Sequence, residues 1–296
     1  MSKRKSKKTA VRKSEKISPS KLIELFAKKL QVGELSAEEN ETIGRYYLTQ
    51  APRKIYRYRP EHSREIEALV EHKIWFSRLQ GLNDPFEFNA RVDVKSLAMS
   101  ENDTRSQLQA MSFAQQQQSH FKQISKELDY DSFYKEIIPG FTVACFSEIK
   151  DSLLMWGHYS TGHRGMCAEY DIIDINSISG KTVIPVNYSK TLPALTSTDD
   201  TTLHRFTLNM MSTKFTDWKY EREWRCIQDI DACGKNLMPN GALLDSPPPT
   251  AIYLGCNAYG EFVESITCTC KDVLKIPLYR MTKSRDEYKL LPERIL

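Results

Sequence analysis

Residues 218–227 read Trp218-Lys219-Tyr220-Glu221-Arg222-Glu223-Trp224-Arg225-Cys226-Ile227. The alternation in this run predicts a β-strand, because successive side chains of a strand point to opposite faces. Tyr220, Arg222, Trp224 and Cys226 then share one face, and Glu221, Glu223 and Arg225 share the other. Two carboxylates stand side by side on that face, with Cα atoms about 6.5 Å apart. Such a pair suits chemistry at a sugar carbon, where one carboxylate stabilises developing positive charge and the other handles a proton. A solvated strand face of mutually neutralised charges is the plainer alternative.

Further strands extend in both directions from this one. Residues 55–59, 73–77, 141–147, 165–171, 182–188, 251–254 and 273–279 have strand texture, and short helices are expected at 63–71, 152–160 and 203–215. Strands and helices intermingle, yet neither GxGxxG nor GxxxxGK[ST] occurs, so a doubly wound nucleotide fold loses its usual mark. The expected class is α+β with mostly antiparallel sheets. Two helices precede this domain: Leu22, Ile23, Leu25, Phe26 and Leu30 recur at helical spacing, and Ile43, Tyr46 and Tyr47 form a second stripe over 37–48. Residues 19–51 are expected to be a helical appendage, with Pro52 marking the start of a catalytic domain over 52–296. Within that domain, residues 96–138, with Gln115 to Gln118 in a row, read as a polar helical insertion.

The chain has 296 residues, 40% of them hydrophobic, enough for a sizeable core. Its mean hydropathy is −0.50. No window approaches the roughly eighteen apolar residues of a membrane span, and no apolar stretch follows the basic start to act as an export signal, so a cytoplasmic protein without membrane contact is expected. Seven cysteines without zinc spacing fit reduced thiols. The net charge of +4 is unevenly distributed: Lys3, Arg4, Lys5, Lys7, Lys8, Arg12, Lys13 and Lys16 against Glu15 leave residues 1–16 at +7 and the remainder at −3. Residues 1–18 therefore read as a disordered basic tail, able to lie along RNA or an acidic partner or simply to aid solubility.

Other segments carry chemistry-bearing side chains. In Tyr56-Arg57-Tyr58-Arg59 two arginines share a face between tyrosines, an arrangement able to grip a phosphate or ribose, or equally a surface strand. Ser147 ends an apolar strand where its hydroxyl can orient a carboxylate. Asn83-Asp84-Pro85 is a turn signal with a candidate substrate role for Asn83, and Trp156-Gly157-His158-Tyr159 offers His158 and Tyr159 for substrate binding. Asp84, Glu169, Asp171 and His158 form an alternative set for a metal-dependent nuclease. A non-catalytic binding module is a third class.

In chain order, Tyr58-Arg59, Phe146-Ser147 and Glu221-Arg222-Glu223 resemble the arginine, serine, glutamate-x-glutamate signature of the ADP-ribosyltransferase superfamily. Residues 55–280 also resemble a widespread bacterial family of formerly unknown function, through Leu82-Asn83-Asp84-Pro85-Phe86, Cys145-Phe146-Ser147-Glu148, Trp156-Gly157-His158-Tyr159 and Trp218 to Arg225. Some of its relatives look like toxins of phage-defence toxin, antitoxin and chaperone systems. The resemblance implies a split-sheet core and transfer of ADP-ribose from NAD, as co-substrate, to a macromolecule, with nucleic acid, RNA above all, favoured over protein. It assigns Arg59 to NAD binding; Arg57, Tyr58, Asn83, His158 and Tyr159 are further candidates for contacting NAD. Ser147 would orient Glu223, Glu223 would bond the nicotinamide-ribose 2'-hydroxyl and favour the oxocarbenium ion, and Glu221 would position or deprotonate the acceptor. No metal is implied. Ser147 stands alone where that clade carries Ser-Thr-Ser.

Overall fold

The computed structural model of the chain describes residues 16–32, 34–92, 140–178, 181–196 and 200–296; the tail through Glu15 and the insertion at 96–138 lie outside them. The first half contains α1 (Pro19–Val32), α2 (Ala37–Thr49), β1 (Lys54–Arg59), α3 (Ser63–Val70), β2 (Lys73–Arg78), β3 (Arg91–Val92) and β4 (Phe141–Ser147). Next come α4 (Leu153–Tyr159), β5 (Met166–Asp171), α5 (Ile172–Ser177), β6 (Lys181–Pro185), β7 (Asn187–Ser189), β8 (Ala194–Leu195), α6 (Asp200–Met211) and β9 (Thr213–Phe215). The remainder is β10 (Glu223–Asp229), β11 (Leu237–Met238), β12 (Gly241–Asp245), β13 (Ala251–Leu254), α7 (Gly260–Cys268), β14 (Leu278–Lys283) and β15 (Leu290–Arg294). Among the described residues, no helix is long and apolar enough to cross a membrane.

The class is α+β, and the main sheet is open and mostly antiparallel. Its order is β11-β12-β2-β4-β1-β5-β13-β14-β15, with β10 on β4 and β6 on β10; β13 and β14 run parallel. The sheet forks at β4. One edge of β4 is paired along its length by β10, from Glu223 opposite Ser147 to Asp229 opposite Phe141. The other edge is shared: β2 takes Thr142 and Val143, and β1 takes only Ser147, through Tyr56. A gap opens between β1 and β2, and Arg57 fills it. Its guanidinium donates to the carbonyls of Trp75 (2.5 Å) and Cys145 (3.2 Å) and lies 5.6 Å from the centre of the Phe146 ring. These bonds replace the ladder bonds that the fork forgoes, as buried carbonyls require.

Residues 19–51 are not an appendage. α2 opens on a capping box, with Ser36 Oγ accepting from Glu39 N and Glu39 Oε2 accepting from Ser36 N. Leu22, Ile23, Phe26, Tyr46 and Tyr47 all join the core that packs on the sheet. The Tyr47 hydroxyl donates to the Val183 carbonyl, and Tyr46 sits 6.3 Å from Trp224. An amphipathic helix pair buries its apolar stripe wherever a large apolar face is available, and here the sheet supplies it.

Three strand boundaries differ from expectation. Residues 182–188 break at Val186 into β6 and β7, and 273–279 is the end of a helical segment, reversed by Lys275 (φ 53°), before β14 begins. The stretch at 218–227 is a strand only from Glu223. Thr216–Glu221 is a helical turn, and Arg222, at φ 45° and ψ 55°, adopts the left-handed conformation that joins the two.

A second left-handed feature follows α4. Thr161, Gly162 and His163 have φ of 53°, 61° and 67° in succession, at a cost of about 1–2 kcal/mol for each non-glycine residue. Close approach fixes this turn on two sides: a Cβ on Gly165 would lie 2.1 Å from the Arg59 carbonyl oxygen, and one on Gly255 2.0 Å from that of His163. Arg57→Met should lower unfolding free energy by about 2 kcal/mol, because two buried carbonyls lose their donor. Urea denaturation measures this, and a parental midpoint would show that the fork does not depend on Arg57.

Candidate active site: a buried carboxylate cluster at the sheet fork

The fork opens into a cleft of about 220 Å³. β1 lines it with Arg57 and Arg59, β4 with Cys145 and Ser147, the loop after β2 with Asn83 and Glu87, and α4 with Tyr159. Glu221, Glu223 and Lys214 complete the wall. Most of the residues singled out in the sequence thus meet at one cavity, although they come from five separate stretches of chain.

Lys214 is the hub. Its ammonium lies 2.7 Å from Glu221, 3.3 Å from Glu223 and 3.2 Å from Glu87, with the Trp218 ring centre 4.7 Å away. Arg225 closes the circuit: Nε donates to Glu223 Oε1 (2.8 Å), Nη2 to both Glu87 oxygens (2.7 and 2.8 Å) and Nη1 to the Met211 carbonyl (2.7 Å). Three carboxylates face two cations, and all five side chains are buried. Glu221 and Glu223 do not share a strand face. The left-handed Arg222 reverses the chain between them, and both carboxylates still reach the same ammonium.

Ser147 acts on the main chain. Its Oγ donates to the Glu221 carbonyl (2.6 Å) and accepts from Ile149 N (3.1 Å), which pins the turn carrying Glu221. The Glu223 carboxylate is oriented instead by Lys214 and Arg225, and its amide donates to the Tyr188 hydroxyl (2.8 Å). Tyr159 donates to Glu221 Oε1 (2.5 Å) and accepts from Asn83 Nδ2 (2.7 Å), so these two residues reach the cluster as a relay. Arg59 is held by Glu65 through two bonds of 2.6 Å and is 23% exposed in its side chain, whereas Arg57 is fully engaged in the fork. The Tyr58 hydroxyl donates to the Ile149 carbonyl, and its ring packs edge-on against Trp156. His158 is exposed and faces Tyr220 outside the cleft.

The two glutamates differ in acidity. Burial pushes the Glu221 carboxyl upward, Lys214 opposes it, and the neighbouring Glu223 charge adds to the rise, leaving it above the ordinary carboxylate value. Burial acts in the same direction on Glu223, but Arg225 and then Lys214 outweigh it, holding Glu223 down at about 2. Environments that push two neighbouring carboxyls apart separate an ion from a proton carrier. Glu223 stabilises the fold above the ordinary carboxylate range and loses that contribution as pH falls towards 2. Glu221 has the opposite sign: its protonated form is favoured in the fold, and stability declines as pH rises through its elevated value.

The residues considered for a metal do not assemble. Asp171 pairs with Arg53 and caps α5, Glu169 accepts from Thr250 and Tyr253, and Asp84 accepts from Phe86 N. Among the described residues, no group of three or more His, Cys, Asp or Glu side chains has the arrangement to hold a metal ion.

Lys214 and Glu87 had no signal in the sequence. Each is a single charge in an unremarkable context, and their pairing spans loops that periodicity cannot connect. A family described as a protein of unknown function (DUF2971) matches residues 155–226, a stretch that begins in α4 and contains Tyr159, Lys214, Glu221, Glu223 and Arg225. No curated protein and no solved structure matches the chain.

Lys214→Met should destabilise the fold by about 3–5 kcal/mol, since Glu221 would lose its paired cation and Glu87 and Glu223 would share only Arg225. It should also raise the Glu221 pKa further, because the ammonium is the main influence opposing protonation. Carboxyl-carbon NMR titration follows the second effect, and an unmoved Glu221 would remove Lys214 from its control.

Proposed function

We propose that this chain is an ADP-ribosyltransferase that moves ADP-ribose from NAD onto a macromolecule, nucleic acid and RNA in particular before protein. The observation that carries the reading is the pair of neighbouring glutamates, one held ionised and the other held closer to neutrality, in a cleft also lined by Arg59, Ser147, Asn83 and Tyr159. NAD supplies the ADP-ribosyl group together with a cationic nicotinamide that leaves with the electron pair of the C–N bond. Glu223, ionised and fixed by Arg225 and Lys214, stabilises positive charge at the sugar carbon without reorganising. Glu221 accepts the proton released as the acceptor atom bonds to that carbon, and its elevated pKa makes it a stronger base than an ordinary carboxylate. Arg59, with Glu65 setting its plane, suits a phosphate or ribose at the rim.

The fit to NAD is partial in size. At about 220 Å³ the cleft is smaller than the roughly 300–1,000 Å³ usual for a drug-sized ligand, so it suits the nicotinamide-ribose end, with the rest of the dinucleotide across the open rim. The toxin role, an antitoxin and chaperone as partners, and a cytoplasmic setting belong to the same reading and rest on the motif resemblance.

Labelled NAD incubated with the protein and cell lysate, with and without magnesium, tests the proposal. Label transfer that is independent of magnesium is expected, and its absence from a folded protein would overturn the proposal. Glu223→Gln should reduce both transfer and NAD hydrolysis by about a hundredfold or more. Glu221→Gln should reduce transfer while sparing much of the hydrolysis, and in the parent protein transfer should fall on the acid side as Glu221 takes up a proton. Equal loss of both activities in Glu221→Gln would assign Glu221 to the donor instead.

A further inference from the structure

A second cavity, of about 660 Å³, is lined by α4 through Leu153 and by none of the residues of the cleft. Leu153, His163 and Asn257 form its floor, and the loop between β14 and β15 forms its wall. Three independent features mark it. The left-handed turn at Thr161, Gly162 and His163 presents the floor, and strained backbone of this kind persists only where the surroundings hold it. Here they do: Asn257 N donates to the His163 carbonyl, Asn257 Nδ2 to the Gly162 carbonyl, and Glu61 N to the Thr161 hydroxyl. His163 Nδ1 is buried and has no hydrogen-bond partner among the described residues, which is unusual for an imidazole nitrogen. Burial, with Lys283 nearby, lowers the His163 pKa, so the ring that lines the cavity is neutral.

The wall is the third feature. Its loop is pre-formed: Ser284 Oγ accepts from Asp286 N and Glu287 N, and Ser284 N donates to the Lys289 carbonyl. It carries the Tyr288 ring fully exposed to solvent, with both faces open. Lys283, Arg285 and Lys289 surround it and form no ion pair among the described residues. Asp286 and Glu287 stand beside them, so the wall combines cations for phosphates with carboxylates able to accept from amino and hydroxyl groups.

We infer that this cavity binds a nucleotide unit of a single-stranded nucleic acid, with its base stacked on Tyr288 and its phosphates on Lys283, Arg285 and Lys289. A flat aromatic platform among unpaired cations is the usual construction for single strands. One helix, α4, contributes Leu153 to this cavity and Tyr159 to the cleft, and so connects the two. The inference depends on the ADP-ribosyltransferase reading only for making the bound strand the acceptor; the binding stands or falls by itself.

The test uses the full chain and a fluorescently labelled single-stranded oligouridylate, followed by anisotropy, with NAD hydrolysis measured in parallel. Tyr288→Ala should weaken binding about tenfold. The triple variant Lys283→Ala, Arg285→Ala, Lys289→Ala should reduce the slope of log affinity against log salt by about 2. All four side chains are exposed, so folding and NAD hydrolysis should remain parental. Parental oligouridylate binding in these folded variants would overturn the inference, as would a raised KM for NAD, which would assign the cavity to the donor. An effect of the charge variant with none from Tyr288→Ala would also overturn it and leave a general polyanion surface. Loss of binding beside intact hydrolysis supports it, and intact binding control in a protein without NAD hydrolysis would remove the transferase reading while leaving this site in place.

Discussion

A fully buried guanidinium, that of Arg225, holds the carboxylate cluster of this molecule together. A charge so deep is tolerated only with close partners, because desolvation costs several kcal/mol per ion. Its partners come from three places: Glu223 on its own strand, Glu87 beyond β2, and the Met211 carbonyl at the end of α6. Each bond ties a distant segment to β10. Glu87 and Glu223 then serve as counter-ions to Lys214, which in turn draws in Glu221. The cluster is a structural requirement whose unequal division of charge favours the ionised form at Glu223 and the protonated form at Glu221.

The fork in the sheet provides the space for this. Had β1 and β2 between them paired the whole of the shared edge of β4, no gap would remain for Arg57 to fill. Arg57 maintains the fork by supplying donors to Trp75 and Cys145, and so its role is architectural even though it lines the cleft. Arg59, two residues on and less buried, keeps a face towards the rim.

Much of this was legible in the sequence, and the remainder was not for identifiable reasons. β1, β2, β4, β5 and β13 carry alternation or apolar runs that local physics ties to strands. Glu223 stood out as one of two carboxylates two apart in an alternating run, Ser147 as a hydroxyl closing an apolar strand, Asn83 within a turn signal and Tyr159 within the Trp-Gly-His-Tyr motif. The strand boundary at Glu223 was missed because the Tyr-Glu-Arg-Glu-Trp alternation continues through a turn, and the left-handed Arg222 leaves no glycine to signal it. Lys214 and Glu87 were invisible because an ion pair closed through tertiary structure has no spacing rule. Residues 19–51 looked separable because a helical stripe shows how much it must bury but not against what.

The pairing of β4 also sets a timetable. β1 and β2 precede it in the chain, but β10, which completes its other edge, ends only at Asp229. A chain leaving the ribosome therefore displays Arg59 and Ser147 well before Glu221 and Glu223 are made, and domains form from the N-terminal side as synthesis proceeds. A nascent chain that ends before Glu221 carries Arg59 and Ser147 without either glutamate. The cluster of Glu87, Lys214, Glu221, Glu223 and Arg225 is complete only once translation has passed Arg225, so no shorter product contains it.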